Sequence, residues 1–156
     1  MKKLLSALVA LLIAVPAQAE LSPFVGGSLQ KIERQYKGKP FILAFWSATC
    51  THCPTELKAL GELSRKYPKL DVVLVAADTP AEAPELERLA QDYGVARQAR
   101  WVFADAQPER LRYEIDRRWY GELPRTYFYD AKGARQGRSG VQPPEQLEQW
   151  VVEHVK

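Results

Sequence analysis

Both cysteines of this chain stand in one run, Cys50-Thr51-His52-Cys53, directly after the apolar stretch Phe41–Trp46. Two thiols at that spacing can close a structural disulfide, ligate a metal, attach a haem or cycle between dithiol and disulfide. As a staple the pair is poor: closing a four-residue loop removes chain entropy worth about 2 kcal/mol, against about 4.7 for a 100-residue loop. Zinc asks for about four ligands, and the only histidines are His52, inside the pair, and His154, near the end of the chain. Covalent haem attachment needs a histidine right after the second cysteine, where this chain has Pro54. A two-cysteine copper site stays open, and the redox-active dithiol is the favoured reading.

Position supplies the reason. A chain that leaves a strand at Trp46, turns through Ser47-Ala48-Thr49 and enters a helix sets Cys50 at the helix N-terminus. Unpaired N–H groups and the positive end of the helix dipole stabilise a thiolate there. Pro54 agrees, because its ring would clash with the carbonyl four residues back if Cys50 were already helical. Cys50 is then the exposed attacking thiol, at or before the cap. Cys53, expected one turn inward, resolves the mixed disulfide.

The elements that hold this run follow from hydrophobic pattern. Phe41–Trp46 is continuously apolar and residues 71–77 nearly so, as in strands buried on both faces. Between them a helix is expected over residues 50–66, with Leu57, Leu60, Leu63 and Tyr67 near one stripe. Earlier, Ser28 is placed to N-cap a short helix that ends at Gly38. Leu86, Leu89, Ala90 and Tyr93 mark an amphipathic helix over residues 82–93, and Leu111, Ile115 and Trp119 another. Residues 101–104 read as a short strand, residues 126–130 and 134–139 as a hairpin, and Pro143-Pro144 opens a last helix. Strand-helix-strand units followed by a hairpin and a helix mean an α/β fold with a mixed central sheet.

Residues 1–19 set the compartment. Lys2 and Lys3 precede an apolar run of about 12 residues, and Ala17-Gln18-Ala19 supplies a small-x-small cleavage site, the pattern of a signal peptide. A membrane-spanning helix wants about 20 apolar residues, so an uncleaved anchor is the alternative. Residues 20–156 form one expected domain of 137 residues, and formal charge falls from +3 to +1 when the leader is removed. So balanced a chain argues against a nucleic-acid partner or an anionic surface. The seven arginines of residues 97–125, set against five acids, read as a solvated helix face.

The segment Phe45-Trp46-Ser47-Ala48-Thr49-Cys50-Thr51-His52-Cys53, with Gly38-Lys39 ahead of it, resembles the thioredoxin superfamily, in particular its exported TlpA-type thiol-disulfide oxidoreductases. The resemblance implies a thioredoxin-like fold with a helical insertion before the final hairpin, no cofactor, and a monomer in the periplasm. Its partners would be protein thiols or disulfides and a membrane redox protein. It also implies a cis proline at Pro124, which would expose the backbone of Leu123 for an added substrate strand, and an aromatic beside the site at Trp46, where a core tryptophan reads equally well. Glu56 matches an acid that could exchange a proton with Cys53, although an acid in a helix's first turn is favourable in any case. Thioredoxin's own buried acid would fall at Ala44, where none is present. His52 resembles the oxidising members of the superfamily, in which an imidazole favours the thiolate, but it could equally face solvent. The TlpA-like build instead implies a reductase, so the direction of electron flow stays open between reductant and oxidant.

Overall fold

The computed structural model describes residues 20–155. The expected signal peptide, residues 1–19, lies outside the described residues. Six strands form one mixed sheet: β1 (Leu21–Phe24), β2 (Phe41–Trp46), β3 (Asp71–Ala76), β4 (Ala99–Phe103), β5 (Arg125–Tyr129) and β6 (Arg135–Ser139), in the spatial order β1-β4-β3-β2-β5-β6. The first four run parallel, and β5 and β6 are antiparallel additions beside β2. The helices are α1 (Ser28–Gln35), α2 (Cys53–Lys66), α3 (Ala83–Asp92), α4 (Pro108–Ile115) and α5 (Pro144–His154).

Alternation along β2 divides the core. Ile42, Ala44 and Trp46 face a cluster completed by Leu57 and Leu60 of α2, Leu86 of α3 and Leu147 and Val151 of α5. Phe41, Leu43 and Phe45 face the other cluster, with Leu29 and Ile32 of α1 and Leu111 and Ile115 of α4. Both faces of the central strand are covered, which is why it carries no polar residue. The four parallel strands all end at one pole of the molecule, and the chain leaves β2 there, into the cysteine run.

Several elements depart from the sequence expectation. Leu21–Phe24, given no strand by its pattern, pairs with β4 at the sheet edge, where Pro23 is tolerated. Gly27 rather than Ser28 is the cap of α1, and Ser28 Oγ instead accepts the Val25 amide at 2.9 Å. A 3-10 turn at Pro80–Glu82 precedes α3. Helix α4 stops at Ile115 because Asp116 is extended, so Trp119 does not continue its stripe. Trp119 reaches Phe45 from the following turn, ring centroids 5.0 Å apart, and its indole N–H donates to the Glu122 carbonyl.

The arginine-rich stretch is not one solvated helix face. Arg100 on β4 is buried and ion-paired with Glu87 at 2.5 Å, and Arg125 on β5 pairs with Asp116 at 3.1 Å.

Candidate active site

Helix α2 begins later than its stripe suggested. His52 is the N-cap and Cys53 the first helical residue, with Pro54 just inside, where a missing N–H costs nothing. Cys53 is therefore not one turn inward. Cys50 lies in the turn before the cap, partly exposed, while Cys53 is fully enclosed. The two sulfurs are bonded to each other, with the Cα atoms 5.4 Å apart. The Cys53 amide points at Cys50 Sγ, 3.1 Å away. A donor at the positive end of a helix thus already faces the sulfur that would carry negative charge after reduction.

The turn that presents Cys50 is tied at several points. The Cys50 amide donates to the Ser47 carbonyl at 3.2 Å, and the Thr49 amide to Ser47 Oγ at 3.2 Å. Beneath it sits Asp78, just past the end of β3 and only 8% exposed. Ser47 Oγ donates to Asp78 Oδ1 at 2.8 Å, and the Ala48 amide lies 3.2 Å from each carboxylate oxygen. Burial pushes the Asp78 carboxyl up, and these donors pull against the rise. The available sequence signal was weak: an acid immediately after a buried parallel strand, at the pole where the cysteines emerge.

Glu56 faces inward one turn along α2 and is fully buried. Thr126 Oγ1 donates to its Oε1 at 2.8 Å, and the Gln142 amide to its Oε2 at 2.7 Å. Burial raises its carboxyl above the ordinary range, and the Gln142 and Thr126 donors partly offset this. Thr126 is the cross-strand partner of Ala44. A buried carboxylate therefore does stand against this part of the sheet, supplied from the helix where the strand has only alanine. Thr126 and Gln142 carried no signal of their own in the sequence, because their role depends on β5 and on the segment before α5 meeting the same helix.

The remaining residues separate by exposure. His52 is exposed, and its side chain makes no cap hydrogen bond. Trp46 is 4% exposed and lies edge-on to Tyr93, centroids 6.4 Å apart, so it supports the turn from below and offers no surface. The Leu123–Pro124 bond is cis. Arg125 pairs with Phe45, which sets Pro124 beside the end of β2. Cys50 and Leu123, both partly buried, pack on the same core cluster.

A mixed sheet with a dithiol at the N-terminus of the helix after its central strand defines a thioredoxin-like protein. Residues 20–134 match the AhpC/TSA family model, and the chain belongs to that family. Among relatives, it is 28% identical over 118 residues to the thiol-disulfide oxidoreductase ResA of Geobacillus kaustophilus, covering 74% of this chain and 63% of that protein. ResA of Bacillus cereus is 29% identical over 126 residues, 78% of this chain and 68% of the relative. The chain thus spans about two thirds of the length of these relatives. Solved structures agree in fold. A secreted Mycobacterium tuberculosis disulfide oxidoreductase homologous to Escherichia coli DsbE superposes with TM-score 0.62 at 21% identity, covering 77% of this chain and 85% of that one. A thioredoxin-family thiol:disulfide interchange protein of Chlorobium tepidum gives 0.64 at 16% identity, covering 80% and 85%.

Proposed function

We propose that the chain is an exported thiol-disulfide oxidoreductase of TlpA/ResA type that reduces disulfides in partner proteins. The observation that carries this reading is the bonded Cys50–Cys53 pair, with one sulfur partly exposed and the other enclosed at the start of α2. In the reduced protein the Cys50 thiolate attacks one sulfur of the partner's disulfide, forming a mixed disulfide and releasing one partner thiolate. Cys53 then loses its proton and attacks Cys50 Sγ, releasing the second partner thiolate. Two electrons pass to the partner, and Cys50–Cys53 is left oxidised. A membrane dithiol protein returns the electrons by the reverse exchange.

Glu56 is the group we assign to the Cys53 proton. It lies one turn along the same helix, and its raised affinity for a proton suits an acceptor that must also give the proton back. Leu123 and Pro124, joined by a cis bond next to the Arg125–Phe45 pairing at the end of β2, would receive the partner's backbone as an added strand. Residues 1–19 would direct export and be removed, or remain as a membrane tether. His52, exposed beside Cys50, favours a second reading, in which it stabilises the Cys50 thiolate and turns the protein into a disulfide oxidant.

Insulin disulfide reduction with a thiol regenerant, run beside a Cu(I) titration of the reduced protein, tests the proposal. Turnover lost in Cys50→Ser is the expected result, with Cys53→Ser trapping mixed disulfides through Cys50. Tight copper binding without any thiol exchange would replace the enzyme with a metal-delivery module.

A further inference from the structure

Near-neutral overall charge conceals an uneven distribution. Four connections lie at the pole opposite the dithiol: residues 36–40, 67–70, 93–98 and 130–134. They carry five cations, Lys37, Lys39, Lys69, Arg97 and Lys132, and a single acid, Asp130. That acid is engaged within its own turn, where Asp130 Oδ1 accepts the amides of Lys132 and Ala134 at 2.8 and 2.9 Å. Five connections at the dithiol pole, residues 25–27, 47–52, 77–82, 104–107 and 140–143, carry Asp78, Glu82 and Asp105 and no lysine or arginine, and a sixth, residues 116–124, which ends there at Leu123-Pro124, sets Arg117 and Arg118 against Asp116 and Glu122.

Helix ends explain only part of this. Helices α1, α2, α3 and α5 finish at the basic pole, and their dipoles favour cations in the last turn, as at Arg34, Arg65 and Lys66. The five loop cations lie beyond those turns. Among the described residues none of the five enters an ion pair, whereas the acids bordering the pole are mostly engaged: Glu33 by Tyr129, Asp92 by Arg88 and Glu148 by Lys66. Asp71, at the first position of β3, and Glu20, just before β1, are nearby acids for which the described residues show no such bond. Lys37, Lys39 and Lys132 come from two different loops yet line one groove of about 300 Å³, beside Tyr36, Phe41 and Tyr129. Strand β1 also begins at this pole, so residues 1–19, with their apolar run at 4–15, join the fold on the basic side.

We propose that this pole is a docking surface for an anionic phospholipid membrane, held by Lys37, Lys39, Lys69, Arg97 and Lys132. The leader would enter from the same side, and the dithiol would face away from the bilayer towards its partners. Lipid is the occupant favoured because an apolar segment and a basic patch on one side supply the two signals that stable membrane attachment needs. A lysine or arginine near an anionic surface strengthens partitioning about fivefold, so three of them together contribute about a hundredfold.

The test uses the chain from Glu20 onward, which contains all the strands, helices and core clusters described, so that the leader itself cannot bind. Co-sedimentation is measured with vesicles of phosphatidylcholine alone and of phosphatidylcholine with phosphatidylglycerol. The expected result is binding only to the mixed vesicles, weakened about a hundredfold in Lys37→Gln/Lys39→Gln/Lys132→Gln and abolished at about 1 M salt, where the Debye length is about 3 Å. Arg110→Gln/Arg112→Gln/Arg138→Gln makes the same change in net charge away from the pole and should bind as the unmodified chain does. Near-UV circular dichroism and insulin reduction report that each variant is folded, independently of lipid. The proposal is overturned by equal loss in both triple variants, by no binding to the mixed vesicles, or by retention of an acidic polypeptide such as polyglutamate without vesicle binding.

Discussion

Glu56 holds a charge that its surroundings discourage. A carboxyl raised in the folded state binds a proton more tightly there than in the unfolded chain, so it lowers stability as pH rises from the ordinary carboxylate range through the raised value. Asp78 acts with the same sign, while Asp116 and Glu122, lowered in the fold despite the opposing effect of burial, act with the opposite sign. The readable quantity is therefore a difference. Urea unfolding across pH should show Glu56→Gln gaining stability relative to the unmodified protein as pH rises above about 4.3, the unfolded Glu value. A constant difference would mean that Glu56 does not ionise in this range. If Glu56 also accepts the Cys53 proton, the same variant should slow release of the mixed disulfide about 100-fold, at the low end for general acid–base assistance, without changing the first attack. His52→Ala should raise the pH midpoint of Cys50 alkylation and make the couple more reducing, by about 30 mV for each tenfold loss of Cys50 acidity. The cysteines were legible at this scale because their spacing and Pro54 carry the chemistry locally. Asp78, Thr126 and Gln142 were not, because each acts across a contact between segments 30 or more residues apart.

Helix α2 has to sit close to its neighbours for the site to form. Its Gly61 is the point of closest approach: a Cβ there would lie 2.9 Å from the carbonyl oxygens of both Tyr93 and Gly94, rigid backbone at the end of α3. Gly61→Ala would gain about 1 kcal/mol of helix propensity and lose about 1–3 kcal/mol to overpacking. We expect net destabilisation and a shift of Tyr93 against Trp46, read by thermal unfolding and tryptophan fluorescence. Most element types followed from pattern, since β2 and β3 are apolar throughout and α3 and α5 keep clean stripes. Pattern misled where an aromatic fell at helical spacing by coincidence, as Trp119 did after Ile115, or where a strand was too short to alternate visibly, as β1 was. The late start of α2 belongs to cap geometry, to which periodicity is blind.

Stability at the scale of the whole molecule rests on the two clusters that sandwich the sheet, not on the disulfide. Opening a four-residue loop should cost about 2 kcal/mol or less, so the reduced protein should remain folded, with a urea midpoint only modestly below that of the oxidised form. A protein that unfolds on reduction would need its disulfide for structure and could not cycle. The charge that looked uninformative as a total of +1 is divided between a basic pole and an acidic dithiol end, a separation that strand order creates and composition hides. Electron direction is also a property of the whole molecule, because the potential measures how much the fold prefers the disulfide to the dithiol. Equilibration of Cys50–Cys53 against thiol redox buffers measures that preference. A reductase should give a reversible two-electron couple near the thioredoxin value of about −270 mV; a couple near the DsbA value of about −120 mV, or none that equilibrates, would rule this function out.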